Sequence, residues 1–441
     1  MLPDGWQSNV QIDVDADGFI CYVGAEKTDD QANTLPGPVM PSLVNLHSHA
    51  FQRAFAGLTE YRQRADDSFW SWRDSMYRFA ASMTPDSLQS VATQLYVEML
   101  EGGYTHVCEF HYLHHGAGGT HYQRLSENGG RLQAAAADAG IGLTLMPVLY
   151  QRAGFNDATP STGQRQFCLE LDAYLGMLDE LQTSALPGQE MAVALHSLRA
   201  VSAQSIAELI EQAPQGLPWH IHIAEQQAEV ADCLSATGQR PVAWLLDHCP
   251  VDHRWCLVHA THLDQQEVVA AAGSGAVAGL CPTTEANLGD GFFPLGDWSH
   301  AGGRFGIGSD SHVCRSAAEE LRLLEYGQRL LKQQRNVSVQ QDGQHTGAWL
   351  WRQSAAVSKS ISGVSLGRIE PGQRADFLVL QDDDRTSDDG WVDALVFGGD
   401  NDAIDQVYCA GRQVVDNGQH LARKASKQQF DAALKKLKEM V

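Results

Sequence analysis

A chain of 441 residues, 43% hydrophobic and 19% charged, has the composition of a globular protein and is long enough for a large core with a smaller domain beside it. Its 31 basic and 54 acidic residues leave a net charge of −23, which argues against a nucleic acid or an anionic membrane as partner. It does not exclude a small acidic ligand read by local Arg residues.

Nine cysteines, an odd number without a Cys-x-x-Cys pair, read as reduced thiols of a cytoplasmic protein. The start, Met-Leu-Pro-Asp-Gly-Trp, has no basic-then-apolar leader, and no apolar run nears the roughly 20 residues that span a bilayer.

The chain opens on a hairpin pattern, with Val10–Val14 alternating, a turn at Asp17-Gly18 and Phe19–Val23 returning. Pro41-Ser-Leu-Val-Asn-Leu-His47-Ser-His49 follows, a short apolar run that ends in His-x-His. Residues two apart on a strand face the same side, so the two imidazoles form half of a transition-metal site; the bland alternative is a surface His pair.

From Pro41 apolar runs alternate with helical patterns. Eight such runs are Ser42–Leu46, Tyr104–Phe110, Gly142–Leu149, Met191–Leu195, Pro218–Ile223, Arg254–Val258, Gly275–Leu280 and Arg304–Gly308. The helix after the first is well punctuated: Thr84 can cap it, Pro85 suits its first turn, Leu88, Val91, Leu95 and Met99 form a stripe, and Gly102 stops it. Eight βα units in series predict an α/β fold, a parallel (β/α)₈ TIM barrel. The alternative is an open doubly wound sheet, but no Gly-x-Gly-x-x-Gly follows the first strand. Helices are expected over Ala318–Gln333 and Gly347–Lys359, and strand and turn chemistry returns at Gly367–Leu380 and Val407–Gly418. Both chain ends are therefore expected to build one small β-domain, residues 1–40 with 365–422, beside a barrel over 41–364. The tail, 423–441, is amphipathic and basic; it reads as a docked surface helix, with a membrane binder as the alternative.

Chemistry in such a barrel lies at the C-terminal strand ends. In order these carry His47, His49 and Gln52; His111 and Tyr112; Tyr150, Gln151 and Arg152; His196 and Arg199; His222 and Glu225; His259 and His262; Cys281 to Asn287; and Asp310. Three imidazoles and a carboxylate with an open position suit a catalytic Zn²⁺, which assigns His47, His49, His222 and Asp310 as ligands of one ion per chain. The bland alternative makes His222 or Asp310 a helix cap. Glu225, three residues past His222, can shuttle a proton to a substrate nitrogen, and His259 can hydrogen-bond the attacking oxygen unless it is a satisfied barrel histidine. His220, His248 and His253 read as structural or surface residues. His111, His114, His115 and His121 are either a second metal site or part of a mobile Gly-rich loop over the pocket.

His47-Ser-His49, His222-Ile-Ala-Glu225, His259, Ser309-Asp310-Ser and the segment Gly372–Leu380 resemble the amidohydrolase superfamily over nearly the whole chain, in its single-metal branch. His47-Ser-His-Ala-Phe-Gln-Arg-Ala-Phe-Ala-Gly57, Glu109-Phe-His-Tyr-Leu-His-His115 and His196-Ser-Leu-Arg-Ala-Val201 resemble, more finely, the formimidoylglutamate deiminases of histidine degradation. That resemblance implies a zinc-dependent deiminase with Glu225, His259 and Asp310 handling protons. It implies substrate contacts from Gln52, Arg73, Tyr112, His196 and Arg199. Arg73 rests on the less distinctive Phe69-Trp-Ser-Trp-Arg73. Two Arg could answer the two carboxylates of an acidic small molecule. A homodimer is expected from the same resemblance. The rival expectation is a deaminase of the same superfamily acting on a purine or pyrimidine.

Overall fold

The computed structural model describes residues 1–25, 32–61, 69–382, 386–399 and 401–440. Eight parallel strands follow one another in chain order: β1 (Leu43–Ser48), β2 (Tyr104–His111), β3 (Gly142–Leu149), β4 (Val193–Leu195), β5 (Trp219–Ile223), β6 (Trp255–His259), β7 (Val277–Leu280) and β8 (Arg304–Ile307). Each pairs with its neighbour in sequence, and nearly every residue in them is buried, as strands covered on both faces require. The expected single run Met191–Leu195 is divided. Gln189–Met191 pairs with β3, Ala192 donates to the Leu145 carbonyl, and Val193 turns its amide to the Pro218 carbonyl on the side of β5.

The barrel closes through the segment that leaves β8. The amides of Ser309 and Asp310 donate to the His47 carbonyl at 3.2 and 2.9 Å, and the His49 amide donates to the Asp310 carbonyl at 3.2 Å. Asn45 fastens the seam from within, donating to Ser309 Oγ at 2.6 Å and accepting the Ser309 amide at 3.1 Å. Gly308 makes the approach possible, since a Cβ there would stand 2.7 Å from the His47 nitrogen.

The helix Pro85–Glu101 has a reciprocal cap between Thr84 and Ser87, Pro in its first turn and Gly102 at its end. Its stripe of Leu88, Val91, Leu95 and Met99 is fully buried, each side chain contributing about 1.5–3 kcal/mol. The helix Ala317–Lys332 lies within a residue of expectation. The expected helix over Gly347–Lys359 is instead two, Thr346–Ala355 and Ser358–Ser362. The Ser358 hydroxyl takes the Ala355 carbonyl at 2.7 Å, the acceptor that a continuous helix would offer to the amide four residues on.

Both chain ends build the smaller β-domain. Val39–Pro41 edges a five-stranded antiparallel sheet with Phe377–Leu380, Ile404–Cys409, Arg412–Asp416 and Gln419–His420. The hairpin Gln11–Val14 with Ile20–Gly24 forms a separate two-stranded sheet, tied to this one by a bridge from Phe19 to Arg374. Arg374 also reaches the barrel, donating to the Thr105 carbonyl at 3.2 Å while paired with Asp376. The final helix, Arg423–Met440, docks on Pro85–Glu101 through buried Phe430, Ala433 and Leu437, and Ser426 Oγ donates to Gln94 Oε1 at 2.8 Å. No helix among the described residues is long and apolar enough to cross a membrane.

Candidate active site and metal centre

Three imidazoles converge at the C-terminal mouth of the barrel. His47 Nε2 lies 3.0 Å from His49 Nε2 and 2.9 Å from His222 Nε2. Asp310 Oδ1 stands 3.2 Å from His49 Nε2 and 3.6 Å from His47 Nε2. His49 Nδ1 donates to the Phe110 carbonyl at 2.9 Å, and His222 Nδ1 to the His196 carbonyl at 3.1 Å. A neutral imidazole that donates through Nδ1 presents a lone pair at Nε2. Burial, then the neighbouring imidazoles, hold His47 and His222 well below the usual histidine pKa and so keep them neutral. Burial opposes the charge on Asp310, but the His49 imidazole beside it keeps its carboxyl below the ordinary value. Three imidazole nitrogens converging on one point, with the Asp310 carboxylate beside two of them, fit a divalent metal ion.

The turns that place these groups are strained. Ala224, His259, Ala260 and Asp310 have φ between 43° and 66°, a left-handed backbone that costs non-glycine residues about 1–3 kcal/mol each. Buried hydrogen bonds hold the turns. Glu229 accepts the amides of Ala224 and Glu225 at 3.3 and 3.1 Å. His312 accepts the His49 amide at 3.2 Å, and Glu109 accepts the Ala50 amide at 2.6 Å.

Glu225 and His259 stand beside the three imidazoles. His259 Nε2 is 3.8 Å from Glu225 Oε1 and 3.9 Å from Asp310 Oδ2. Its other nitrogen, Nδ1, donates to Glu285 Oε1 at 3.2 Å, and Glu285 also accepts the Cys281 amide at 2.8 Å. Sequence reasoning placed Glu285 in the segment after β7 without giving it a task. The signal was available, because a working imidazole needs its second nitrogen fixed. Burial lowers the pKa of His259, but Glu225, Glu285 and Asp310 outweigh it and raise it to about 10. Burial raises that of Glu225.

A cavity opens above these groups, and Gln52, Arg73, Tyr112, His196 and Arg199 all line it. Gln52 Nε2 donates to the Tyr112 hydroxyl at 2.9 Å from the short helix Ala50–Ala54. Arg73 and Arg199 share Trp70, their guanidinium carbons 4.5 and 5.6 Å from its ring centroid. Among the described residues neither guanidinium has a carboxylate within ion-pair distance, and Arg73 Nε is buried without a hydrogen-bond partner. One wall escaped sequence reasoning. It is the helix Phe69–Ser82, whose Phe69, Trp72, Arg73, Met76 and Tyr77 face the cavity at helical spacing.

Other candidates fall elsewhere. His114 and His115 are buried and bond the Val148 and Cys168 carbonyls at 2.9 and 3.0 Å, and His115 stacks on His121. His111 is also buried, whereas residues 116–121, which hold the glycines and His121, lie at or near the surface, and the four ring systems do not converge as a metal group among the described residues. Arg152 is occupied by Asp157 at 2.7 Å and by the Leu198 and Val201 carbonyls. His220 bonds the Ile361 carbonyl and His248 the Trp244 carbonyl, while His253 is exposed.

Residues 39–414 match the amidohydrolase family. The chain is 46% identical to the formimidoylglutamate deiminase of Pseudomonas aeruginosa over 99% of its own length and 98% of that protein's. It is 24% identical to a 5-methylthioadenosine/S-adenosylhomocysteine deaminase of Haloarcula marismortui, over 80% of this chain and 74% of that one. The crystal structure of an amidohydrolase from Brucella melitensis superposes with a TM-score of 0.92 at 43% identity, covering 99% of this chain and 97% of that chain. With its barrel, its histidine-rich strand ends and these relatives, the chain belongs to the amidohydrolase family.

Proposed function

We propose that this chain hydrolyses N-formimidoyl-L-glutamate to N-formyl-L-glutamate and ammonia, as a step of histidine degradation, with one Zn²⁺ held by His47, His49, His222 and Asp310. One observation carries the reading: in a protein of net charge −23, Arg73 and Arg199 line the cavity above the metal-fitting residues with no carboxylate within ion-pair distance among the described residues. Two fixed cations match the two carboxylates of this substrate, and the guanidinium fork is shaped for them. The deiminase of Pseudomonas aeruginosa, alike over the full length, supports the same substrate.

With the carboxylates on Arg73 and Arg199, the formimidoyl carbon points to the cavity floor. When bound there, the metal supplies Lewis acidity and a water-derived nucleophile at neutral pH. Glu225 takes a proton from the attacking water and delivers it to the imino nitrogen. His259, steadied by Glu285, faces the new oxygen with Nε2, and Asp310 accepts the second water proton as the carbonyl forms and gives it up to the departing nitrogen. A C–O bond forms and a C–N bond breaks. Both water protons leave on ammonia.

The test is product analysis of the zinc-loaded protein with N-formimidoyl-L-glutamate. Ammonia with N-formyl-L-glutamate supports the reading; formamide with glutamate means that the other C–N bond is cut. Inhibition by guanine but not glutarate would favour a purine-type substrate. The same reading includes a homodimer and a cytoplasmic location. Nine unpaired cysteines agree with a reducing compartment, and light scattering on the purified protein tests the dimer.

A further inference from the structure

Beside the three converging imidazoles lies a second set of donors. Glu225, His259 and Asp290, all buried, each offer one ligand atom, and these atoms lie within 4.8 Å of one another. Asp290 has no part in the reaction above. It follows β7 in the turn Gly289-Asp290-Gly291 and is 5% exposed. One of its oxygens accepts from the Gln226 side-chain amide, while the other, Oδ2, is buried without a partner. A buried carboxylate oxygen with nothing to accept from is costly and calls for a cation or a donor. His259 is oriented for such a cation, because Glu285 takes Nδ1 and leaves Nε2 facing Glu225 and Asp310, and the cation displaces the proton that these carboxylates favour there. Asp310 links the two sets, with Oδ1 beside His47 and His49 and Oδ2 beside His259. Burial and the charges of Glu225, Glu285 and Asp310 push the Asp290 carboxyl upward, the mark of crowded negative charge.

We propose that Glu225, His259 and Asp290 form a second, weaker divalent-metal site, suited to Zn²⁺ or Cd²⁺, that fills after the first and shares Asp310 with it. Two carboxylates and an imidazole are an ordinary donor set for such ions. The site is weaker because its donors lie farther apart than the three imidazoles and because a neighbouring dication repels the newcomer. An ion there occupies the Glu225 carboxylate. Excess metal therefore inhibits, a consequence that rests on the proton-transfer role proposed above, whereas the binding itself does not.

The experiment is equilibrium dialysis of the metal-free full-length protein against Zn²⁺, with metal analysis and turnover measured on the same samples. The wild type should bind two equivalents in separate phases, and turnover should fall by about 100-fold as the second binds, the order of one lost proton-transfer step. Asp290→Asn should bind the first equivalent and lose the second. Saturation of the wild type at one equivalent overturns the site, and this arm needs no variant to fold. A second equivalent retained by Asp290→Asn overturns the ligand assignment, and a second equivalent that leaves turnover unchanged overturns the inhibition, which rests on the proton-transfer role of Glu225. If N-formimidoyl-L-glutamate is not consumed at one equivalent, the proposed reaction fails while the metal count still decides the site.

Discussion

The amide of Asp310 donates to the carbonyl of His47 across 2.9 Å, so two residues assigned to the metal also stitch the last barrel strand to the first. The barrel has no regular ladder between β8 and β1, and this seam stands in for one. A metal held by both sides should therefore bind the folded barrel and not the unfolded chain. Free Zn²⁺ at 1,000 times its dissociation constant should add about 4 kcal/mol and raise the melting temperature by several degrees. Calorimetry of chelated and reloaded protein checks this; coincident melting curves would detach the metal from the seam.

Glu225→Gln keeps the shape of the side chain and removes its basicity. Turnover should fall by about 100- to 10,000-fold, the usual range for a general acid–base, with metal content unchanged. Full activity in the variant would remove Glu225 from proton transfer.

Arg73→Met and Arg199→Met each withdraw one guanidinium from the cavity. A hydrogen bond to a charged group contributes about 1.5–3 kcal/mol, so each should lower kcat/KM by roughly 10- to 100-fold. Substrates lacking one carboxylate identify the partner, since the matching variant loses nothing further on them. Equal losses on every substrate would assign the Arg to folding.

Glu285→Gln can offer an amide N–H to His259 Nδ1 where the carboxylate could only accept. The imidazole would then be free to turn or to take the other tautomer. We expect kcat to drop by about 10- to 100-fold, as when partners of site histidines are lost, with the melting temperature close to that of wild type. Unaltered kcat would reduce Glu285 to a packing residue.

Glu320 tests the pH dependence of stability away from the metal. It is buried, accepts the Thr283 amide at 2.9 Å, and burial raises its pKa from 4.5 to about 8. An acid whose folded pKa is raised favours the folded state most when protonated in both states, and that contribution is lost as pH climbs from 4.5 through about 8. Glu320→Gln should melt higher than wild type at pH 9 and gain less at pH 6. Parallel melting temperatures across that range would contradict the assignment.

The strand repeat was legible because each barrel strand is a short buried run between polar turns, and the helix after β1 because Thr84, Pro85 and Gly102 mark its ends. The convergence of His47, His222 and Asp310 was legible because a barrel gathers its strand ends in one place, so residues 263 positions apart in sequence could be joined. Glu285 and Asp290 were not, because their significance lies in single atoms: Nδ1 of His259, which Glu285 satisfies, and Oδ2 of Asp290, which has no donor. The break at Ala356 was hidden for a similar reason: the Ser358 hydroxyl competes for a carbonyl that periodicity assigns to the backbone.

Arg73 and Arg199 line the same cavity from different structural levels. Arg199 follows β4, within the repeat that supplies the converging histidines, whereas Arg73 rides on Phe69–Ser82, a helix inserted between β1 and the helix that completes its βα unit. Variation in that insert can redesign one side of the binding pocket while His47, His49, His222 and Asp310 keep their backbone settings. The barrel can thus hold its chemistry constant while it explores new acids, and the insert is the segment to exchange in engineering substrate range.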